Sequence, residues 1–548
     1  MKPLALAAAV LVALGVAGRA DAARFAVGVG RDASMQRVAS DLRAVTGGTI
    51  SWKLAKLDVL VVEAPRVRGV RSVAGVRYVE WLGSRSRKLA FTASDPLVSK
   101  QWYLPFTRAF DLWPDPPTLP GVKVAIIDSG VDVTHRDLQG KILSARTFVG
   151  GNPGTDSTGH GTFVAGIIAA ELDNGEGIAG IAFPAQLLVA KIVRPDRSIS
   201  LEAEADAIRW AADKRARVIN LSLGGVRDPQ NPDRDTFSRL EADAVAYAAR
   251  RGAVLVAAVG NSDQAPTAPW PYASYPSALP HVIGVSALGR DGSVPLFSDR
   301  DSVYNDLAAP GMDIFSTLPR ALTKAYPTCS NQGYSDCGPE EFRHANGTSF
   351  AAPQVSAAAA LVIAANPKLS ANQVASLVEH SADDATPANG CKVCQYWRDS
   401  ASGWGRLNVA RAVASAQGPL PPQDRFETND DAGPYAHKLF GRRGSFTATL
   451  DYWDDRADVY RLLVPSGRRL TVSVSETRQP TKLRLWRPGT RTVFGGNFVR
   501  FRVAEAAAAH GSQRLSYAVP TGGGGSYFVE VKLARPGSGA YTLRWSRT

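Results

Sequence analysis

Five continuous apolar runs within residues 93–415 constrain the fold more than any other feature of the chain. The runs are VKVAIID, AQLLVAKIV, RVINLSL, AVLVAAVG and HVIGVSAL, and helical stretches such as LEAEADAIRWAADKRA lie between them. A run that is apolar at every position predicts a strand buried on both faces, and such strands belong to parallel sheets with helices on each side. We therefore predict a doubly wound α/β domain, in which reactive groups collect at the carboxyl ends of the strands.

The sequence on either side of this region has other patterns. The amino-terminal part combines strand runs with an amphipathic helix, which predicts a small α+β unit. The carboxy-terminal part alternates apolar and polar residues over short spans, which predicts an all-β sandwich. A proline-rich, charged stretch before it is typical of a linker. The segments predicted from these changes are residues 1–22, 23–92, 93–416, 417–432 and 433–548.

Residues 1–22 have the pattern of a secretory signal peptide. Lys2 precedes an apolar run of about fifteen residues, and small residues surround a cleavage site at Ala22. The alternative is a transmembrane anchor, but the run is short for one and no later segment is long enough. We therefore expect export, a signal peptide that is removed, and no transmembrane segment.

The four cysteines are Cys329, Cys337, Cys391 and Cys394. In an exported protein they predict two disulfides, and the short separations favour Cys329–Cys337 and Cys391–Cys394. A four-cysteine zinc site is the alternative, although only one pair has the CxxC spacing of such sites.

The net charge of +13 is concentrated at the two ends of the chain. Residues 23–92 carry +8 and residues 424–548 carry +9, whereas residues 93–423 carry −5. The centre therefore lacks the basic, aromatic-rich surface that binds nucleic acid, and we expect no nucleic-acid partner. The two basic end segments could bind the acidic central region of the chain or an anionic cell envelope.

Two predicted junctions between strands and helices carry groups for acid–base chemistry. Asp128 ends the run VKVAIID, and a turn at Ser129 and Gly130 follows. His160 stands between glycines at the start of the apolar stretch GTFVAGIIAA. The structural alternatives are a buried turn cap for the aspartate and a helix cap for the histidine. His135 is a rival base, but it lacks flanking glycines, and we interpret it as structural.

Ser349 begins a predicted helix, SFAAPQVSAAAALVIAAN. A serine at this position is most often an N-cap. However, Ala351 and Ala352 leave room for a substrate carbonyl, and the helix dipole favours an oxyanion there. Pro353 is expected in the first turn, where few amides have a helical partner to lose. Asn261 follows the run AVLVAAVG and is either a turn residue or an amide donor to an oxyanion.

These side chains form a complete set for acyl transfer by a serine, which needs a base, a carboxylate that orients the base, and oxyanion donors. The blocks VAIIDSGVD, GHGTFVAG, INLSLGG, AAVGNSD and GTSFAAPQVSAAAALV resemble, in order, those of subtilisin-like serine proteases (peptidase S8 family) over residues 95–415. The resemblance implies a serine endopeptidase in which Asp128 orients His160 and His160 activates Ser349. It also implies an oxyanion hole formed by Asn261 and the backbone amide of Ser349.

The resemblance extends to a segment that binds the substrate. Ser222, Leu223, Gly224 and Gly225 resemble the edge strand that pairs with an extended polypeptide. One departure is Phe163, where the family often has a second histidine, and this position is not part of the triad.

Some members of the family also carry structural calcium, although the catalytic reaction itself needs no cofactor. The resemblance implies Asp137 as a ligand, and the loop ELDNGEGIAG offers Asp173 and backbone carbonyls. Two solvated acids are the alternative.

The terminal segments resemble accessory units of the same proteases. Residues 23–92 resemble an inhibitory prosegment, which implies a self-processing zymogen that is cut in the linker after Leu82. The motifs QDRFETNDD, DDRADVYRLLV and GAYTLRW resemble the bacterial pre-peptidase C-terminal domain, a β-sandwich attached to secreted proteases. We therefore expect a secreted bacterial enzyme, monomeric, that is inhibited by its own prosegment until processing.

Two other functions are compatible with this scaffold. A ligase or transpeptidase would use the same acyl-enzyme with an amine acceptor in place of water. An inactive binding scaffold would keep the fold but would not need the four catalytic positions. Binding of carbohydrate or envelope by the carboxy-terminal sandwich is compatible with proteolysis.

Overall fold

The computed structural model describes residues 23–30, 32–64, 69–82, 93–112, 119–263, 265–325, 341–418, 420, 423–427, 429–451, 455–493, 496–534 and 538–548. The chain divides into two compact units, Met1–Leu89 and Ala90–Thr548. The predicted signal peptide, the predicted cleavage segment after Leu82 and the predicted Cys329–Cys337 pair lie outside the described residues.

The described residues of the first unit form a four-stranded antiparallel sheet and one α-helix. The helix, Met35–Thr46, begins after Ser34, whose side chain accepts the N–H of Arg37, and ends at Gly47 in the left-handed conformation. The strands are β1 (Ala23–Val29), β2 (Thr49–Leu54), β3 (Val59–Ala64) and β4 (Val76–Trp81), in the order β2-β3-β1-β4, with short 3-10 helices at Ala55–Leu57 and Val70–Ser72.

The second unit is built around a seven-stranded sheet in which every neighbouring pair is parallel. The prediction of a parallel sheet is thus confirmed. Its strands are β5 (Val122–Asp128), β6 (Ile142–Thr147), β7 (Ala185–Lys191), β8 (Val218–Leu221), β9 (Val254–Ala258), β10 (Val282–Leu288) and β11 (Leu307–Pro310), in the order β11-β10-β9-β8-β5-β7-β6.

Helices cover both faces of this sheet. Val124 of β5 packs in one core with helix Thr348–Ala365, and the next residue, Ala125, packs in a second core with helix Leu201–Asp213. Successive side chains of a strand point to opposite faces, so the strand must be apolar at every position. The described helices of this unit are Tyr103–Phe106, His160–Ala169, Leu201–Asp213, Arg239–Arg250, Arg320–Ala325, Thr348–Ala365, Ala371–His380 and Val409–Ser415.

Short elements complete the α/β part. Strands β12 (Ile314–Thr317) and β13 (Phe342–Ala345) form an antiparallel pair. The 3-10 helices of the second unit are, within the described ranges, Val98–Lys100, Arg136–Leu138, Pro387–Asn389 and Gly496–Phe501. Cys391 and Cys394 form the predicted disulfide.

Helix Thr348–Ala365 is the central helix of the larger core. Of the described helices, it is the one long and apolar enough to cross a membrane, and 89% of its apolar window is buried inside the protein. Burial on all sides explains why its sequence has no polar face.

The carboxy-terminal part of the second unit is all-β, which confirms the coarse prediction. Hydrogen bonds join its strands into one connected sheet, because the long strand β17 pairs with β20 through its first half and with β19 through its second. The strands are β14 (His437–Leu439), β15 (Arg443–Asp451), β16 (Ala457–Val464), β17 (Arg469–Trp486), β18 (Arg502–Ala518), β19 (Gly525–Leu533) and β20 (Ser538–Arg547), in the order β14-β16-β19-β17-β20-β15 with β18 paired to β17.

The predicted linker, residues 417–432, takes part in the contact between the α/β part and the β part. Asp430 accepts a hydrogen bond from Asn372 at 2.5 Å. Close by, the ring of Tyr435 contacts that of His281 in a tilted arrangement, with centroids 3.8 Å apart. The two parts therefore share a polar and aromatic boundary.

Candidate active site

The end of β5 and the start of helix His160–Ala169 bring an acid and a base into contact. Nδ1 of His160 lies 2.8 Å from Oδ1 and 2.9 Å from Oδ2 of Asp128. The carboxylate is buried, at 3% exposure, while the imidazole side chain is 29% exposed. With its Nδ1–H donated to the carboxylate, the neutral imidazole carries a lone pair on Nε2 and can accept a proton there.

Gly161 allows this contact. A Cβ at this position would lie 2.1 Å from the carbonyl oxygen of Gly130 and 3.2 Å from Oδ1 of Asp128. The glycine after the histidine therefore serves a close approach between the helix and the turn after β5, because any larger residue would push them apart.

The surroundings of His160 favour its protonated form. Burial alone would lower the pKa of the imidazole, but the charge of Asp128, the hydrogen bond to it and the charge of Asp156 together raise that pKa above its ordinary value. A base with a pKa close to the working pH can both take and return a proton.

Asp156, which the sequence interpretation missed, organises the segment that carries His160. Its Oδ1 accepts the hydroxyl of Ser129 at 2.8 Å and the N–H of Gly159 at 2.9 Å. Its Oδ2 accepts both the N–H and the hydroxyl of Thr162 at 2.8 Å. One buried carboxylate thus ties the turn after β5 to the first turn of the histidine helix.

Ser349 is the second residue of helix Thr348–Ala365, whose N-cap is Gly347 and which has no side-chain cap. In the described part of the chain, neither the N–H nor the hydroxyl of Ser349 has a hydrogen-bond partner. The N–H is therefore a donor at the positive end of a helix. The following residue, Phe350, packs against the imidazole of His160 with ring centroids 5.5 Å apart.

Pro353 lies at the sixth position of helix Thr348–Ala365, so the expectation that it falls in the first turn is wrong. Because proline has no N–H, the carbonyl of Ser349 lacks its helical donor four residues later. Oγ of Ser222 donates to this carbonyl at 2.7 Å instead. It also accepts from Nδ2 of Asn220, a fully buried residue of β8, at 2.9 Å. The proline thereby couples the predicted nucleophile to the end of β8.

Asn261 lies in the loop after β9, and its side-chain amide has a defined orientation. Its Oδ1 accepts the N–H of Thr348 at 2.9 Å and the hydroxyl of Thr348 at 2.8 Å. Two donors on one side require the oxygen there, so Nδ2 is left as the donor. A Cβ built on Gly347 would lie 3.7 Å from this Nδ2, which places the donor beside the start of the serine helix.

The predicted substrate-binding segment continues from β8. Leu223 and Gly224 line a cavity together with Asn261 and Ser349. The backbone of Gly225 is already paired, since it exchanges two hydrogen bonds of 2.9 Å with Tyr275. Within the described ranges nothing bonds to the backbone of Leu223 or Gly224.

The residues predicted to bind calcium are held by protein donors. Asp137 is fully buried, and its oxygens accept the side-chain amide of Asn174 at 3.2 Å and the N–H of Ile178 at 2.8 Å. Burial raises the pKa of this carboxyl to about 6. Asp173 instead accepts the N–H of Ser94 at 2.7 Å. The loop is thus fastened at two separate points.

A different acidic cluster has the geometry of a cation site. Glu427, Asp455 and Asp458 offer ligand atoms that all lie within 4.8 Å of one another. Burial, together with repulsion from Asp430 and Asp458, raises the pKa of Glu427 to about 11. The motifs QDRFETNDD and DDRADVYRLLV that carry these residues are acidic in sequence, but their apposition depends on the fold.

His135 and Phe163 have packing roles. His135 is fully buried, and its Nδ1 accepts the N–H of Asp137 at 3.2 Å. Burial lowers the pKa of this imidazole. Phe163 is also fully buried and packs against Phe350 with ring centroids 4.5 Å apart. Among the described residues, no hydrogen bond joins the side chain of either residue to Asp128 or His160.

Comparisons with known proteins agree with this geometry. The sequence model of the subtilase family matches residues 120–405. Thermitase of Thermoactinomyces vulgaris is 34% identical over 326 residues, covering 59% of this chain and 99% of thermitase. The cell wall-associated protease of Bacillus subtilis (strain 168) is 35% identical over 311 residues, covering 54% of this chain and 31% of that protein. Subtilisin DY of Bacillus licheniformis is 36% identical over 254 residues, covering 46% of this chain and 80% of that protein.

Proposed function

Because this chain belongs to the subtilase family and is a serine endopeptidase, we propose that Ser349 is its nucleophile and His160 its general base and acid. In the same proposal Asp128 orients the imidazole, and Asn261 donates to the oxyanion. The observation that carries this assignment is the contact of His160 Nδ1 with both oxygens of the buried Asp128 carboxylate, at 2.8 and 2.9 Å.

In the acylation step Oγ of Ser349 attacks the carbonyl carbon of the substrate peptide bond, while Nε2 of His160 takes the hydroxyl proton. The carbonyl electron pair moves onto oxygen, and the oxyanion accepts hydrogen bonds from Nδ2 of Asn261 and the N–H of Ser349. Collapse of this intermediate breaks the C–N bond, and the proton on His160 passes to the leaving amine. The products are an ester on Ser349 and a peptide with a new amino terminus.

Deacylation repeats these steps with water. Nε2 of His160 takes a proton from a water molecule whose oxygen attacks the ester carbonyl. The second intermediate uses the same oxyanion donors, and its collapse returns the proton to Oγ of Ser349 and releases a carboxylic acid. Asp128 stabilises the positive imidazolium in both steps, and the proton stays on the imidazole.

The substrate binds as an extended strand beside the end of β8. The backbones of Leu223 and Gly224 supply the pairing groups, because nothing else in the described chain uses them. Ser222 and Gly225 hold this segment in place through their bonds to Ser349 and Tyr275. A polypeptide in extended conformation is therefore the substrate class.

The enzyme is exported and made as a zymogen. The signal peptide of residues 1–22 directs export, and residues 23–92 act as an intramolecular inhibitor until the chain is cut after Leu82. A relative named for its association with the cell wall supports an extracellular site of action. Residues 433–548 form an accessory domain of the pre-peptidase C-terminal type.

Structural calcium belongs to the proposal, but no catalytic step uses it. Glu427, Asp455 and Asp458 have the oxygen-rich chemistry that a hard cation requires, and no described basic residue forms an ion pair with them. Asp137 and Asp173 fit less well, since backbone and amide donors already occupy their carboxylates. Carbonyl oxygens of the adjacent loop would have to complete a site there.

Fluorophosphonate labelling of the purified secreted protein tests the assignment, with mass spectrometry to locate the adduct and both chain ends. We expect one adduct on Ser349 and a new amino terminus close to residue 92. Ser349→Ala should abolish labelling and lower hydrolysis of unfolded protein by roughly a millionfold, the loss known for the subtilisin serine itself.

The matched control is Ser415→Ala, at the last residue of helix Val409–Ser415, which should leave labelling intact. An adduct on another residue, or normal hydrolysis by Ser349→Ala, would overturn the assignment. A chain processed near residue 92 that takes up no label would identify an inactive scaffold.

A further inference from the structure

A small cavity lies directly beside the predicted nucleophile. Its volume is about 140 Å³, and Ser349, Asn261 and Gly224 are among its lining residues. Sites for whole small molecules are larger, typically about 300–1,000 Å³. This cavity therefore fits a single side chain. Because the nucleophile and the oxyanion donor both line it, that side chain belongs to the substrate residue whose carbonyl is attacked.

The charged lining of this cavity is entirely acidic. Asp263 and Asp299 are part of the lining, which contains no lysine, arginine or histidine. Asp263 is exposed, whereas Asp299 is only 2% exposed. Arg227, whose neighbour Val226 lines the cavity, is paired with Asp301 at 2.7 Å. Throughout the described ranges, Asp299 forms no ion pair.

Asp299 is held beneath the loop that carries Asn261. Its Oδ1 accepts the hydroxyl of Ser262 at 2.5 Å, and its N–H donates to the carbonyl of Gly260 at 3.0 Å. A Cβ built on Gly260 would lie 2.1 Å from Oδ2 of Asp299 and 2.4 Å from Oγ of Ser274. Since Gly260 has no side chain, two polar oxygens reach the cavity wall at this point.

We propose that this cavity receives a lysine or arginine side chain of the substrate, whose cation pairs with Asp299, so that cleavage follows basic residues. The inference rests on the proposed function, because it takes Ser349 as the attacking group. It identifies Asp299 as the residue that determines the substrate class.

The physical reason is the penalty of a buried, unpaired carboxylate. A carboxylate without a partner is unfavourable in a dry pocket. Burial accordingly raises the pKa of Asp299 to about 7, against the hydrogen bond from Ser262. A substrate cation supplies the missing charge, whereas a neutral side chain displaces water and leaves the carboxylate unpaired. Discrimination therefore comes from the penalty on the wrong substrate as well as the attraction of the right one.

The chain's own sequence contains substrates of this class. The segment in which we place the processing cut, after Leu82, contains Arg85, Arg87 and Lys88. Cleavage after any of these would put a basic side chain into the cavity during maturation. The predicted prosegment junction thus offers the positively charged side chains that Asp299 would bind.

The test uses the mature enzyme and peptides that differ only at the residue before the cleaved bond: arginine, its neutral isostere citrulline, and leucine. The wild type should cleave the arginine peptide with the higher kcat/KM. Asp299→Asn, which keeps the shape and the acceptor for Ser262, should lower the arginine-to-citrulline ratio by roughly thirtyfold to a few thousandfold. Asp291→Asn, at an exposed aspartate outside the cavity lining, is the matched control and should change the ratio by less than about fivefold.

A measurement on the wild type alone guards against a variant that does not fold. Neither arginine nor citrulline titrates near neutrality, so their kcat/KM ratio cancels the pH dependence of His160. The ratio should rise with pH through about 7, as Asp299 ionises. A ratio near one, a ratio independent of pH, or an Asp299→Asn enzyme with the wild-type ratio would overturn the inference. Fluorophosphonate labelling and cleavage of the leucine peptide report separately on the proposed function.

Discussion

Replacing Asp156 by asparagine tests whether this buried carboxylate organises the catalytic segment. The carboxylate is 6% exposed and accepts from Ser129, Thr158 and Gly159 through one oxygen and twice from Thr162 through the other. The asparagine side chain has one acceptor oxygen where the carboxylate has two. Its NH₂ group must therefore replace one of the carboxylate oxygens and face the donors that bonded to it. On the Thr162 side the hydroxyl can rotate to accept, but the backbone N–H is left buried without a partner.

The size of the effect follows from these contacts. One buried, unsatisfied N–H costs about 1–3 kcal/mol, and the loss of charge weakens the remaining bonds further. We expect Asp156→Asn to lower the free energy of unfolding by about 3 kcal/mol. Urea unfolding of the variant in a Ser349→Ala background, which prevents autolysis, measures this quantity. Asp291→Asn, at an exposed aspartate that accepts the N–H and the hydroxyl of Ser293, is the control and should change it by less than about 0.5 kcal/mol.

The same substitution has a pH signature. The charge of Asp156 helps to raise the pKa of His160, and catalysis needs the neutral imidazole. Activity of the wild type should therefore rise with pH through a value above 6.5, and Asp156→Asn should move this acid limb of kcat/KM to lower pH. The raised pKa also adds stability that is complete below the unfolded value and is lost as pH rises through the folded one. Unchanged urea midpoint and unchanged acid limb would together refute the assigned role.

Three further perturbations have defined outcomes. Asp128→Asn should lower kcat by about 10⁴-fold with little change in KM, as in the chymotrypsin-type triad, because the imidazole loses its tautomer and its counter-charge. A variant that keeps a tenth of the wild-type kcat in steady-state kinetics would contradict this. Gly161→Ala should inactivate the folded enzyme, since its Cβ would meet the carbonyl of Gly130 at 2.1 Å, whereas Gly418→Ala, with its nearest neighbour at 3.4 Å, should be neutral. A calcium chelator should lower Tm, and Asp458→Asn should remove that dependence; equal chelator shifts in both proteins would exclude the carboxy-terminal cluster as the site.

Much of the architecture could be predicted from local pattern. Runs such as VKVAIID predict buried parallel strands because both faces of such a strand meet a core, and the structure places Val124 and Ala125 in different cores. The change to alternating patterns likewise predicted the all-β part. In contrast, the connectivity of its sheet depends on β17 pairing with different strands along its length, which no local pattern contains.

The candidate site was predictable only in part. His160 and Asn261 stand next to glycines, and Asp128 and Ser349 lie two residues from one, all at the ends of apolar runs, which is a signal visible in sequence. The supporting residues have weaker signals. Asn220 could have been noticed as the polar residue in the otherwise apolar strand VINL, but its link to the proposed nucleophile, Ser349, spans more than a hundred positions.

The sequence by itself determined the fold class, the order of the segments and the types of reactive group, because hydrophobic period and turn chemistry are local properties of the chain. Only the tertiary structure decided which carboxylates matter. Asp156 and Asp299 look like ordinary loop acids in the sequence, yet Asp156 holds the start of the helix that carries His160. Asp299 lies buried beside the proposed nucleophile and, among the described residues, has no ion-pair partner. Charge and burial act through space, so the role of an acid is settled by what the fold places around it.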